Sequence, residues 1–175
     1  ADQVPRARAP RLHRAVVPPS AEFDEQMMRR AIRLAMNGRG RVEPNPMVGC
    51  VIVNAAGRVI GEGYHAKFGS IHAEPAALGA SRESPEGATV YVTMEPCCHT
   101  NKKTPPCAPR LIEAKVARVV TGSSDPTPQV DGKGFVALRE AGTEVEGPVL
   151  SKSARQLLAP FLKRVRKHKP YVTLK

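Results

Sequence analysis

Five short runs rich in β-branched residues alternate with segments of helical character, and this order constrains the fold more than any other feature of the chain. The runs are MVGCVIVN, VIGEGYH, ATVYVTM, ARVVTGS and TEVEG. The turn AAGR joins the first two runs, which predicts an antiparallel hairpin. Predicted helices separate the later runs, so these strands are expected to be parallel, with right-handed crossovers. The chain is therefore predicted to be an α/β protein, a three-layer αβα sandwich around a mixed five-stranded sheet.

Helical periodicity predicts the segments that cover this sheet. A first helix is expected over residues 22–37, where apolar residues recur at helical spacing before Asn37-Gly38. A second helix is expected to begin near His72 and to run to about Arg82. Two more are expected in PPCAPRLIEAKV and GKGFVALREAG. The segment LSKSARQLLAPFLKRVRKH is predicted to be a last helix, interrupted or kinked near Pro160, and KPYVTLK is predicted to begin a further strand.

The two ends of the chain differ in composition from its middle. Residues 1–20 are rich in proline and arginine and are predicted to form a basic arm that is disordered or extended. Residues 21–168 have the alternation expected of one folded domain. Residues 169–175 are expected to begin a following strand or a linker to another domain.

The net charge of +11 has two interpretations. It could mark a surface that binds nucleic acid or another polyanion. Alternatively, it arises from a basic arm and the solvated face of the last helix. The second interpretation is favoured, because no aromatic residues lie among the basic runs to stack on bases.

The sequence also bears on the cellular compartment. No apolar run is long enough to span a bilayer, and no signal-peptide core is visible. The chain is therefore expected to act in the cytoplasm and not in a membrane. A plastid or another organelle is the alternative, if the Arg-rich start is the remnant of a transit peptide.

Two separate segments have the residue types of a zinc site. The first contains His72 and Glu74, and the second, EPCCHTNKKTPPC, contains Cys97 and Cys107. A catalytic Zn²⁺ takes three nitrogen or thiolate ligands from the protein and keeps a fourth position for water. His72, Cys97 and Cys107 would supply that set. Both cysteines are expected at helix starts, where the helix dipole favours thiolates.

Glu74 lies two residues after the predicted ligand His72. From there a carboxylate can take a proton from the attacking water, pass it to a ring nitrogen and later protonate a leaving amine. The pattern is similar to the H-x-E…P-C-x-x-C signature of zinc nucleobase deaminases, although nine residues separate Cys97 from Cys107. Pro75 is compatible with the first turn of the predicted helix.

The cysteines leave alternatives open. A closed structural zinc site would use Cys98 or His99 as its fourth ligand, and Cys98 could also replace Cys97 in the catalytic set. The order of His-x-Glu, a strand, Glu-Pro-Cys and Pro-Pro-Cys favours a catalytic site with Cys97. Cys50, in a predicted buried strand, is expected to be a core residue.

Seven motifs occur in order along residues 24–175: EPNPMVGCVIV, GEGYH, HAE, EPCCH…TPPC, ARVV, DPTPQVDGKG and FLKR…KPYVTLK. Together they resemble the deaminase domain of the riboflavin-biosynthesis deaminase/reductase. The resemblance implies a cytidine-deaminase-like fold in which residues 21–168 form a zinc deaminase domain. It also implies hydrolysis of 2,5-diamino-6-(5-phosphoribosylamino)pyrimidin-4(3H)-one to 5-amino-6-(5-phosphoribosylamino)uracil and ammonia.

The resemblance assigns residues as well. It implies that Zn²⁺ is bound by His72, Cys97 and Cys107, and that Glu74 transfers protons. The residues implied to contact the phosphorylated pyrimidine are Asn45, His65, His99, Lys103 and Thr104. The family is generally oligomeric, so a homo-oligomer is expected.

The chain departs from the family at a few positions. Thr127 and Leu158 stand where the family commonly has Asn, and the cysteine loop is one residue longer. The reductase domain of the family would follow after KPYVTLK. Two alternative functions are kept: a nucleic-acid base deaminase of the same fold, and a non-catalytic homologue that uses zinc for folding.

Overall fold

A computed structural model describes residues 20–100 and 104–172. Except for Ser20, the predicted basic arm therefore lies outside the described residues. The elements are, in chain order, α1 (Ala21–Ala35), a short 3-10 helix (Met36–Gly38), β1 (Gly49–Val53), β2 (Val59–Tyr64), α2 (Ala73–Gly79), β3 (Thr89–Val92), α3 (Cys107–Glu113), β4 (Arg118–Thr121), α4 (Lys133–Glu140), β5 (Glu144–Glu146), α5 (Ser151–Leu157) and α6 (Ala159–Lys167).

The five strands form one mixed sheet in the order β2-β1-β3-β4-β5. Strand β1 is antiparallel to both of its neighbours, β2 and β3. Strands β3, β4 and β5 are parallel to one another. The predicted hairpin and the predicted parallel crossovers are both confirmed.

Alternate residues of the central strands face opposite sides of the sheet and build two cores. Cys50 and Ile52 of β1 belong to one core, which also contains buried residues of α2, α3 and α4. Val51 and Val53 belong to the other, which includes Met28 of α1. The sheet is therefore covered on both faces, which confirms the three-layer αβα fold, and Cys50 is a core residue as predicted.

A buried ion pair attaches α1 to the sheet. The carboxylate of Asp24 accepts hydrogen bonds from the Tyr91 hydroxyl (2.7 Å) and from two guanidinium nitrogens of Arg118 (2.9 and 2.7 Å). Arg118 also donates to Glu146 of β5. Burial alone would raise the pKa of Asp24, but the hydrogen bonds from Arg118 and Tyr91 outweigh it and hold that pKa below its usual value.

Gly63 of β2 allows α2 to lie directly against the sheet. A Cβ atom at this position would lie 2.4 Å from the backbone nitrogen of Ala77 and 2.5 Å from the carbonyl oxygen of Ala73. Both atoms belong to the helix that begins next to His72. The absence of a side chain at Gly63 therefore sets the distance between the sheet and the helix that carries the HAE motif.

Replacement of Gly63 by Ala is expected to lower the free energy of unfolding by about 1–3 kcal/mol, because α2 must move away from the sheet. Gly79→Ala is the control, since a Cβ at Gly79 meets open space and this change should be neutral or slightly stabilising. Urea denaturation of the two variants measures the difference. Equal stability of both variants would contradict the proposed steric role of Gly63.

The ends of three predicted helices differ from the structure. Helix α1 ends at Ala35 and continues only as a 3-10 turn. Helix α2 ends at Gly79 and not near Arg82, because the backbone N–H of Arg82 donates to the carbonyl of Ile60 in β2 (3.0 Å). The last predicted helix is two helices, α5 and α6, that meet at Leu158, which confirms an interruption near Pro160.

Residues 169–172, the described part of KPYVTLK, form no strand. They contact α6, where the ammonium of Lys163 lies 5.7 Å from the ring centre of Tyr171. The expectation that residues 169–175 begin a following strand or a linker stays a prediction, since residues 173–175 lie outside the described part of the chain.

None of the described helices has the length and apolar content to cross a bilayer.

Candidate metal centre and active site

Three segments meet at the predicted zinc ligands. His72 is the N-cap residue of α2, Cys97 lies in the loop after β3, and Cys107 is the first residue of α3. Nδ1 of His72 lies 3.7 Å from Sγ of Cys97 and 3.4 Å from Sγ of Cys107. The three ligand atoms all lie within 4.8 Å of one another.

These distances fit a tetrahedral zinc ion. Zn–N bonds of about 2.0 Å and Zn–S bonds of about 2.3 Å at tetrahedral angles separate nitrogen from sulfur by about 3.5 Å. One imidazole and two thiolates are also donors that zinc prefers. Within the described part of the chain, the group able to hold a metal consists of these three residues, and neither Cys98 nor His99 belongs to it. The geometry therefore favours three protein ligands over a closed set of four.

Cys97 does not lie at a helix start, contrary to the expectation for both cysteines. Its carbonyl accepts the backbone N–H groups of Cys107 and Ala108, both at 3.0 Å, and its thiol accepts the N–H of Cys107 at 3.4 Å. Cys97 thus lies outside the helix and satisfies the free N–H groups at the start of α3. Only Cys107 occupies a helix start.

The second ring nitrogen of His72 is also engaged. Nδ1 faces the two sulfurs, so a zinc ion in this group would bind Nδ1, and Nε2 would then carry the ring proton and donate to the hydroxyl of Thr104 (3.4 Å). A hydrogen bond of this kind fixes the tautomer and the ring plane of a metal-binding histidine. Thr104, predicted to contact substrate, therefore also orients the predicted ligand His72.

Glu74 is the second residue of α2, and only 3% of it is exposed. It borders the same cavity as His72 and Cys97 without belonging to the three-residue metal group. Burial, and then the negative charge of Cys97, raises the pKa of the Glu74 carboxyl above its usual value. A bound Zn²⁺ would act in the opposite direction. This position, buried and next to the metal group, suits a carboxyl that takes and returns protons during a reaction.

Asn45 and His65 form a hydrogen-bonded pair in the cavity. Nδ1 of His65 lies 3.1 Å from the carbonyl oxygen of Ile71, which can only accept, so Nδ1 carries the ring proton. Nε2 then accepts from the amide nitrogen of Asn45 at 3.3 Å. Burial lowers the pKa of His65, consistent with a neutral ring. The hydrogen bond from the amide nitrogen of Asn45 to His65 thereby fixes the positions of the nitrogen and the oxygen of that amide.

A cavity of about 420 Å³ opens over these residues. Of the residues predicted for the site, the cavity lining contains Asn45, His65, His72, Glu74, Cys97, His99 and Thr104. Nδ1 of His99 is buried and has no hydrogen-bond partner among the described residues. Lys103 lies outside the described residues, so its predicted contact with substrate stays a prediction.

The cavity also contains residues to which the sequence analysis gave no role. Asp125 and Thr127 line it from the loop after β4, and Glu95 lines it next to the cysteine loop. Phe161 of α6 and Phe68 add apolar walls. Both carboxylates share a sequence pattern, an acidic residue followed by proline at the carboxyl end of a buried strand, as in Glu95-Pro96 and Asp125-Pro126. This pattern could have predicted their place in the site.

Cys97→Ser and Cys98→Ser form a matched pair that tests the ligand set. Cys97→Ser is expected to lose most of its zinc, because serine is a much weaker zinc ligand than a thiolate. Cys98→Ser should keep its zinc, since the Cys98 sulfur lies 3.9 Å from the carbonyl oxygen of Gln129 and outside the metal group. Elemental analysis of the purified variants measures zinc per chain. Zinc loss only in Cys98→Ser would reverse the assignment.

A three-layer α/β fold with one imidazole and two thiolates beside a buried glutamate is the arrangement of hydrolytic zinc deaminases. The comparisons agree. A family model described as the cytidine and deoxycytidylate deaminase zinc-binding region matches residues 21–123. The chain belongs to this deaminase family. Its His72–Cys97–Cys107 cluster and the family model both fit zinc as the cofactor.

Similar proteins match a longer part of the chain than the family model does. "Riboflavin biosynthesis protein RibD" of Escherichia coli strain K12 is 50% identical over 152 residues, which are 87% of this chain and 41% of that protein. "Diaminohydroxyphosphoribosylamino-pyrimidine deaminase" of Buchnera aphidicola subsp. Schizaphis graminum is 43% identical over 143 residues, which are 82% of this chain and 96% of that protein. The resemblance to the riboflavin-biosynthesis deaminases is therefore confirmed.

A solved structure gives the same result. Acinetobacter baumannii RibD superposes with a TM-score of 0.82 at 46% identity, over 86% of this chain and 42% of that chain. The chain thus spans about two fifths of the RibD proteins but nearly all of the Buchnera deaminase.

Proposed function

We propose that this chain hydrolyses the 2-amino group of 2,5-diamino-6-(5-phosphoribosylamino)pyrimidin-4(3H)-one, which gives 5-amino-6-(5-phosphoribosylamino)uracil and ammonia. The observation that carries the proposal is the three-residue metal group beside buried Glu74 in one cavity. The name and near-complete coverage of the Buchnera deaminase support this substrate. A cavity of about 420 Å³ is within the range of small-molecule sites.

Each residue of the site has a role in this reaction. His72, Cys97 and Cys107 would hold Zn²⁺, which would supply the Lewis acidity that makes water a nucleophile near neutral pH. Glu74 takes the proton of the attacking water and transfers it to a ring nitrogen as the new C–O bond forms at the amidine carbon. Glu74 then takes the proton of the new hydroxyl group and transfers it to the amine, so that the carbonyl forms, the C–N bond breaks and ammonia leaves. Asn45, held by His65, offers its amide to the polar edge of the pyrimidine.

The phosphate of the substrate needs a cation that the described lining does not supply. The ionisable lining residues in the described ranges are carboxylates, histidines and Cys97, with no lysine or arginine. We propose that Lys103 fills this role from the cysteine loop, next to Thr104. A homo-oligomer and the cytoplasmic or organellar location stay predictions, and so does binding of nucleic acid, which is not favoured.

The experiment that tests the function is direct. The zinc-loaded protein is incubated with the diaminopyrimidine phosphoribosyl substrate, and ammonia and the uracil product are measured. Cytidine, deoxycytidylate and a single-stranded RNA are the comparison substrates. Turnover of the diaminopyrimidine alone supports the proposal. Turnover of RNA without turnover of the diaminopyrimidine would overturn it in favour of a nucleic-acid deaminase, and no turnover in zinc-loaded protein would favour a non-catalytic homologue.

A further inference from the structure

Glu95 is a buried carboxylate that the proposed chemistry does not use. It lies two residues before Cys97, only 4% of it is exposed, and it borders the cavity. Neither arginine nor lysine neutralises it through an ion pair among the described residues. A buried charge without a counter-ion requires several hydrogen-bond donors.

Backbone N–H groups supply those donors. The Oε2 atom of Glu95 accepts from Asp125 and from Gly132, both at 3.2 Å, and Oε1 accepts from Gly134 at 3.1 Å. One side chain thus binds the start of the loop 125–132, the end of that loop and the first turn of α4.

The loop that Glu95 closes is a wall of the cavity. Asp125, Thr127 and Val130 of this loop all line it. The packing behind the loop is tight, because a Cβ at Gly134 would lie 2.1 Å from the carbonyl oxygen of Pro96. The wall is therefore attached directly to the segment that leads into Cys97.

We propose that Glu95 is a positioning residue, which holds the loop 125–132 as the substrate-facing wall of the cavity at a fixed distance from the metal centre. This inference rests on the proposed function for its kinetic part. The charge and length of a glutamate are both required. An amide at this position would direct two N–H groups toward backbone N–H donors, and an aspartate is one methylene too short to reach both ends of the loop.

Glu95→Gln is expected to raise KM for the diaminopyrimidine substrate by roughly tenfold to a hundredfold, because the wall is displaced by a fraction of an ångström or more. kcat should change much less, and zinc content should stay the same, because Glu74 and the metal group do not depend on this wall. Glu140→Gln, on the exposed face of α4, is the matched control and should match the parent protein. Glu95→Asp should also raise KM, and this variant replaces Glu95→Gln in the test if the Gln variant does not fold.

A second readout does not depend on activity. Hydrogen exchange of the Asp125, Gly132 and Gly134 amides should be about tenfold faster in Glu95→Gln than in Glu140→Gln, because each loses a hydrogen bond to a charge. Unchanged exchange at these amides would overturn the inference. An unchanged KM would also overturn the inference. A fall in kcat together with loss of zinc would overturn it as well, because it would mean that Glu95 acts on Cys97. If the parent protein does not turn over the substrate, the proposed function fails, and the exchange rates alone decide whether Glu95 holds the loop.

Discussion

Glu74→Gln is expected to reduce deamination by about 10²–10⁴-fold while the protein keeps its zinc. Gln has nearly the same shape as Glu but cannot accept the proton of the attacking water or return one to the leaving amine. Glu74 does not belong to the group of three ligand atoms, so the metal should remain bound. The measurements are the rate of ammonia release and the zinc content of the same protein sample.

Glu113→Gln on the exposed side of α3 is the control for this prediction, and its rate should equal that of the parent protein. Turnover by Glu74→Gln within about tenfold of the parent rate would be incompatible with a proton-transfer role. Loss of zinc in Glu74→Gln would instead indicate that the carboxylate binds the metal.

Arg118→Met is expected to lower the free energy of unfolding by about 3–5 kcal/mol, the largest effect on stability that we expect from a single change. It leaves Asp24 buried with only the Tyr91 hydroxyl as a side-chain donor, because both guanidinium hydrogen bonds are lost. The side chains of the pair are only 7% and 8% exposed, so solvent cannot replace the lost partner. Urea denaturation at saturating zinc measures the change.

The double variant Asp24→Leu, Arg118→Met should recover much of this loss, because a buried pair can be replaced by apolar groups at little cost while a lone charge cannot. The pKa of Asp24 is lowered in the folded protein, so the pair stabilises the protein above the carboxyl pKa of the unfolded chain, about 3.9, and this contribution is lost as the pH falls through the lower folded value. A single variant that loses less than about 1 kcal/mol would contradict the prediction.

Patterns of neighbouring residues were sufficient to predict the sheet. The five residues of β1, Gly49–Val53, include no polar side chain, as a strand covered on both faces requires, and the structure buries all five. Residue chemistry indicated a zinc site but left Cys98 and His99 as alternative ligands, and the geometry favours His72, Cys97 and Cys107. Both predictions depend only on the residue types within short segments of the chain.

The features that could not be predicted depend on contacts between residues that lie far apart in the sequence. Cys97 was expected at a helix start, but it caps α3 from a loop, and this depends on N–H groups ten and eleven residues later. Glu95 binds amides between thirty and thirty-nine residues away.

The cavity is assembled from a longer part of the chain than the metal centre. All of the predicted ligands lie within residues 21–123, whereas Val130 and Phe161 of the cavity lie beyond that range. A chimera that transplanted only the family-model region into a related scaffold would carry over the metal-binding chemistry and leave part of the substrate-facing surface behind. We therefore expect substrate specificity and metal chemistry to be exchangeable separately, with the loop 125–132 and α6 as the parts to recombine when a different pyrimidine is the target.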